Sequence, residues 1–337
     1  MALISLGGML KPTDLERLIH ESLEELGWNA DASELANRVL RLNIGLPLED
    51  EFSVLCGWLG KCSLIHKLDQ QQYPSTSKSD YQVPDLMAVF EVNGKPIPVL
   101  IEVKSSHKNV LSFTPEYVKK LRNYSSLINL PVLVAWKNKF GIWSLVSLDV
   151  FTKATKNFNL KFNDALINSL MGILAGDFGY SLGVGAGVHI KAKKQSISNV
   201  KIIDEGDQYT ESWMSVIDDV YFTSHRGEIL RNLSPIAQQV FFSWDLAEDS
   251  TVTDTHITLH CYCAERSLLF AQMALTRVLA FHRKDSDQHL RWRAILGGDK
   301  SISAFENFRK GIDENLRKGI VYNVLDIRPN IMPNFLK

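Results

Sequence analysis

Val83-Pro84-Asp85-Leu86-Met87-Ala88-Val89-Phe90-Glu91-Val92-Asn93-Gly94-Lys95-Pro96-Ile97-Pro98-Val99-Leu100-Ile101-Glu102-Val103-Lys104 is the stretch that decides the fold. Two apolar runs flank Asn93-Gly94, a dipeptide that tolerates the positive φ values of a two-residue hairpin turn. With those residues as the turn, Val92 faces Lys95, and counting outward sets Asp85 opposite Glu102. Parity makes Asp85–Glu102 a non-hydrogen-bonded pair, the kind whose side chains approach most closely. Two facing carboxylates repel unless a cation lies between them. Lys104 is two residues past Glu102 and points to the same face of its strand. Pro96 and Pro98 fit this register, because their missing N–H groups point away from the partner strand. Two hard oxygen ligands and one ammonium on a single surface suit a Mg²⁺-dependent phosphodiester hydrolase.

Working outward, Thr114-Pro115-Glu116-Tyr117-Val118-Lys119-Lys120-Leu121 opens a helix, with Thr114 at the cap and Pro115 at the first helical position. Leu130-Pro131-Val132-Leu133-Val134-Ala135-Trp136 reads as a buried strand, and 143–150 as one more. Upstream, apolar spacing predicts helices over 12–27, closed by Gly27, and over 31–42. A third helix spans 48–58, with Glu49, Asp50 and Glu51 in its first turn. Residues 69–82, rich in Gln, Ser and Lys, read as a polar loop.

Pro84-Asp85 and Glu102-Val103-Lys104 resemble the two elements of the PD-(D/E)XK nuclease superfamily. The resemblance covers roughly 35–148, and the spacing is most similar to its Holliday-junction-resolvase and restriction-enzyme branches. It implies a mixed β-sheet flanked by helices, a restriction-endonuclease-like α/β core. It implies that Asp85 and Glu102 hold Mg²⁺, for which Mn²⁺ would substitute, with the Val103 carbonyl as a further ligand. Glu51 is the candidate for the extra acid that relatives place on a preceding helix, and Glu49 is the fallback. Lys104 would orient or help deprotonate the attacking water.

The chain has 337 residues, 45% of them apolar, enough for two domains with cores of their own. We expect the nuclease-like domain over 1–155 and an α+β domain over 156–337, with the boundary in the polar stretch 153–163. Net charge is −1, so there is no global basic signature. Residues 105–161, however, hold nine Lys/Arg against two acids, while 202–259 hold two arginines against eleven acids. The basic segment follows the candidate site directly, so Lys108, Lys119, Lys120 and Arg122 are expected to hold a phosphate backbone. The N-terminus lacks the pattern of a signal peptide, no run is long enough for a membrane span, and four cysteines show no disulfide framework. A cytoplasmic protein is expected.

The second half opens with an apolar helix over 164–174, a glycine-rich turn, strands at 188–203, 219–223 and 251–263, and a helix over 265–282. The glycine run has no lysine at phosphate-loop spacing. On one strand, His256 and His260 would share a face while Cys261 and Cys263 share the other, which splits any zinc ligand set. The expected activity is that of a metal-dependent nuclease, first of all a DNA endonuclease in restriction, phage defence, or recombination and repair. A homodimer suits it, because one site cuts one strand of a duplex at a time. The C-terminal half would recognise a target, dimerise or dock a protein partner. The rival reading is a non-catalytic nucleic-acid-binding or assembly module on a nuclease scaffold.

Overall fold

The computed structural model describes residues 48–202, 209–282 and 308–337, together with 19, 20, 22, 23, 26, 27 and 292. The helix expected over 31–42 lies outside the described residues. Of the helix over 12–27, the described positions before Gly27 are helical, and Gly27, at φ 90°, donates its N–H to the Leu23 carbonyl at 2.8 Å.

Helix α1 covers 48–59. An antiparallel meander follows, formed by β1 (Cys62–Lys67), β2 (Leu86–Val92) and β3 (Lys95–Ser105). Asn93 and Gly94 both have positive φ, 51° and 74°, and Val92 pairs with Lys95. The ladder runs without a bulge to Leu86 opposite Ile101. The short strand β4 (Val110–Phe113) leads into α2 (Pro115–Ile128), where the Thr114 hydroxyl accepts the Tyr117 N–H at 3.2 Å. β5 (Val132–Lys137) then returns parallel to β3, and β6 (Trp143–Ser147) pairs antiparallel with β5. The order β1-β2-β3-β5-β6 is a mixed sheet, and the protein is an α/β molecule. Pairing of β3 with β5 begins only at Leu100, so Pro96 and Pro98 meet no partner on that edge.

Each sheet face buries a different layer. Leu86, Ala88, Val99, Ile101 and Ala135 pack with Phe52 and Leu55 of α1. Leu100, Val132, Val134 and Trp136 pack with Val118 and Leu121 of α2. Leu121 is fully buried, and truncating it to Ala would cost about 2–5 kcal/mol. The second layer also takes in a small sheet in which β8 (Phe158–Lys161) pairs with β4 and with β7 (Thr152–Lys153).

Beyond β8 come α3 (Phe162–Ile167), a π-helical turn at Met171–Ala175, and β9 (Phe178–Leu182). A single helix over 164–174 is therefore replaced by two pieces, broken where Asn168 caps α3 through its amide and the Asp164 carbonyl. β10 (Gly187–Ile202) and β11 (Tyr209–Thr223) form a long hairpin, so the strand expected at 219–223 begins well upstream. β12 (Ile229–Leu230) edges it. The strand expected over 251–263 is a hairpin, β13 (Ala247–Val252) and β14 (His256–Tyr262). Thr253 donates its N–H to the His256 carbonyl at 2.8 Å and closes the turn. The remaining elements are α4 (Pro235–Gln239), β15 (Leu269–Phe270), α5 (Ala271–His282), α6 (Phe308–Arg317) and β16 (Val321–Asp326). The α1-side core continues without interruption from Phe52 through Trp143 to Tyr180, Leu275 and Ile312. Among the described residues, no helix is long and apolar enough to cross a membrane.

Candidate active site

Pro84 determines what happens where the β2–β3 ladder ends. The next hydrogen-bonded pair would join residue 84 to Val103, but proline has no N–H to give. The Val103 carbonyl is thus denied a partner from β2. The Val103 N–H is taken instead by the Asp85 carboxylate, through Oδ2 at 2.7 Å. Asp85 and Glu102 therefore sit across from each other at the open end of the hairpin.

Three groups converge there. Lys104 Nζ lies 3.8 Å from Asp85 Oδ2, is hydrogen-bonded to Glu102 Oε1, and reaches the Val103 carbonyl at 3.2 Å. The ammonium is the cation that two facing carboxylates require. Tyr117, in the first turn of α2, donates its hydroxyl to the same Glu102 oxygen at 2.5 Å. Its ring centroid is 5.8 Å from Lys104 Nζ.

Electrostatics follow from burial. Glu102 is 1% exposed, and burial pushes its carboxyl up to about 7 against the opposing pull of Lys104. Burial works against the Lys104 charge, but Glu102 and Asp85 outweigh it and hold the ammonium well above its ordinary value. Burial and then the Glu102 charge push the Tyr117 hydroxyl well up. Glu102 Oε2 is also buried and, among the described residues, has no hydrogen-bond partner. Leaving a buried oxygen without a partner costs about 1–3 kcal/mol.

The donor set fits a hard divalent cation. Asp85 and Glu102 offer carboxylates, one oxygen is unpartnered, and the Val103 carbonyl lacks a ladder bond. Among the described residues, no three His, Cys, Asp or Glu side chains converge on one point.

Glu51 is not brought to this cluster. α1 packs on the opposite face of the sheet, where Glu51 accepts from Lys137 Nζ at 2.6 Å and Trp143 Nε1 at 3.0 Å. Both carboxylate oxygens are engaged. Glu49 is nearer in effect. It pairs with Lys67 at 2.8 Å, and burial pushes its carboxyl up to about 7, with the Asp85 charge adding to the rise.

Lys108 and Lys119 are exposed. Lys120 pairs with Glu116 at 2.9 Å, and Arg122 lies 3.5 Å from Asp149 and against the Phe158 ring. Tyr117 is the site residue that the sequence reading did not single out. The signal was present, because Thr114-Pro115 fixes the helix start and so puts Tyr117 in the first turn, beside the end of β3.

No family model matches the chain, and no curated protein does. Among solved structures, the chain is similar to Hjc, a Holliday junction resolvase from Archaeoglobus fulgidus, an archaeal hyperthermophile. The similarity covers 36% of this chain and 90% of that one, at 17% identity and a TM-score of 0.30. A score that low carries neither site nor substrate across.

Proposed function

We propose that this protein is a metal-dependent phosphodiester hydrolase of the PD-(D/E)XK kind that cuts DNA internally. The observation that carries this reading is the end of the β2–β3 hairpin. There a buried carboxylate keeps one oxygen unpartnered beside a second carboxylate, a carbonyl and an ammonium.

In this mechanism Asp85, Glu102 and the Val103 carbonyl would hold Mg²⁺ or Mn²⁺. The ion, when bound, supplies positive charge beside the scissile phosphate and lowers the pKa of a water. Lys104, beside both carboxylates and the Val103 carbonyl, would orient or help deprotonate the attacking water and stabilise charge that develops on the phosphate. Tyr117 fixes the Glu102 carboxylate through one oxygen and leaves the other free. Water is the nucleophile, and no covalent intermediate forms. Lys108 and Lys119 hold the backbone, with smaller shares from Lys120 and Arg122, whose charges are already paired. A twofold dimer, a target-recognising C-terminal half and a cytoplasmic setting belong to the same proposal.

The test is incubation with plasmid, linear duplex, single-stranded DNA, branched DNA and RNA, in Mg²⁺, Mn²⁺ or EDTA. Cleavage of DNA in the divalent metals and none in EDTA is expected. A wild type that cuts none of these with either metal contradicts the reading.

A further inference from the structure

The turn between β5 and β6 displays an aromatic ring. Asn138 stitches that turn, because its Oδ1 accepts the Phe140 N–H at 2.8 Å and the Ile142 N–H at 3.3 Å. Gly141, at φ 76°, donates its N–H to the Asn138 carbonyl. Phe140 is thus held outward on a preorganised tip and remains 57% exposed. Phe162 braces one side of it, with ring centroids 5.4 Å apart. Beside the two rings lies an open groove of about 390 Å³. Its lining among the described residues includes Lys139, Lys161 and Asn109, and no carboxylate. Lys139 Nζ stands 5.0 Å from the Phe140 centroid.

One wall of the groove packs on the sheet layer beside which the candidate active site lies. Glu102 and Lys104 share a strand face with Leu100, on the α2 side of the sheet, and Phe162 packs against that same layer. Lys104 and Ser105 pair with Trp136 and Lys137, so Phe140 lies three residues past the pair next to Lys104. Chain geometry then keeps its Cα within roughly 17 Å of the Lys104 Cα, about five nucleotide spacings of about 3.4 Å.

We infer that this groove binds an unpaired nucleotide of the nucleic-acid substrate, its base stacked on Phe140 and its phosphate held by Lys139 and Lys161. A stacked duplex base has no free face to offer a protruding ring, whereas a splayed or single-stranded base does. Two lysines without a carboxylate suit a phosphate and repel a basic partner. The inference rests on the hydrolase reading only in that the bound strand would run on to Lys104. It narrows the substrate to DNA with an unpaired stretch near the cleaved bond.

The experiment is fluorescence anisotropy of the full chain in EDTA. It uses a labelled continuous duplex and the same duplex carrying a short unpaired bulge. Phe140→Ala should weaken binding of the bulged DNA on the order of tenfold, in line with loss of one base–aromatic stack. It should leave the continuous duplex within about twofold, and Phe140→Trp should restore the difference. Lys139→Ala with Lys161→Ala should flatten the salt dependence for the bulged DNA. Equal losses on both DNAs, no loss on either, or a wild type that binds neither would overturn the inference. So would a lost self-association with DNA affinity unchanged. If wild type cuts in Mg²⁺ while Phe140→Ala binds normally, the groove fails and the hydrolase stands. If Phe140 holds the bulge but nothing is ever cut, the reverse holds.

Discussion

Replacing Asp177 by Asn should flatten a defined part of the stability–pH profile. Asp177 is 4% exposed at the start of β9 and accepts from Gln272, through the backbone N–H at 3.0 Å and Nε2 at 2.7 Å. Gln272 also grips both backbone groups of Trp143, accepting its N–H at 2.6 Å and donating to its carbonyl at 3.0 Å. This relay ties α5 and β9 to the edge strand of the mixed sheet. Burial raises the Asp177 carboxyl from 3.8 to about 6, against the Gln272 hydrogen bonds. Between those values the native state binds more protons than the unfolded state, so stability falls as pH rises. The contribution is fully present below about pH 4 and is lost as pH climbs through about 6. At about 1.4 kcal/mol per pH unit, that rise amounts to about 3 kcal/mol. Urea denaturation across roughly pH 4 to 7.5 reads it. The stability of the Asn variant relative to wild type should improve by about that amount over the window. Parallel profiles for the two proteins would refute the linkage and the buried, ionisable state of Asp177.

Two further outcomes follow from the site. Tyr117→Phe removes a hydrogen bond to a buried carboxylate, about 1.5–3 kcal/mol. It should lower the melting temperature by a few degrees and slow cleavage, and a variant equal to wild type in both would remove Tyr117 from the site. Lys108→Ala and Lys119→Ala should each lower the salt slope of duplex binding by about 0.9, and Lys120→Ala and Arg122→Ala by less, since Glu116 and Asp149 already engage them. Equal slopes for all four would return these residues to ordinary surface.

How far the sequence reveals this structure depends on which signals are local. Asn93-Gly94 dictates its turn through two positive φ values, and a fixed turn leaves one register, which carries Asp85 to Glu102. Thr114-Pro115 likewise sets the start of α2. Glu51 misleads because Glu49, Asp50 and Glu51 are consecutive on one helical turn. Only the packing of Phe52 and Leu55 decides which acid faces which side, and it directs Glu51 to Lys137 and Trp143. The β13–β14 turn is hidden because Thr251, Val252, Thr253 and Thr255 are β-branched and mask Asp254 as a turn signal. The first half of β11 is hidden because Glu211, Ser212 and Ser215 face solvent and break the apolar pattern. The groove at Phe140 is a tertiary feature, since it joins a β5–β6 turn to the start of α3.

The most direct test of the central claim is single-turnover cleavage of the best substrate in Mg²⁺ by wild type, Lys104→Ala and Asp85→Ala. Binding of the same DNA in EDTA is measured beside it. Lys104→Ala should keep most of its affinity and cut about 10²–10³ times more slowly, as for loss of one group aimed at transition-state charge. Asp85→Ala should not cut, and extra Mg²⁺ should not fully restore it. Cleavage by Lys104→Ala at the wild-type rate would contradict the role of Lys104 in the proposed hydrolysis.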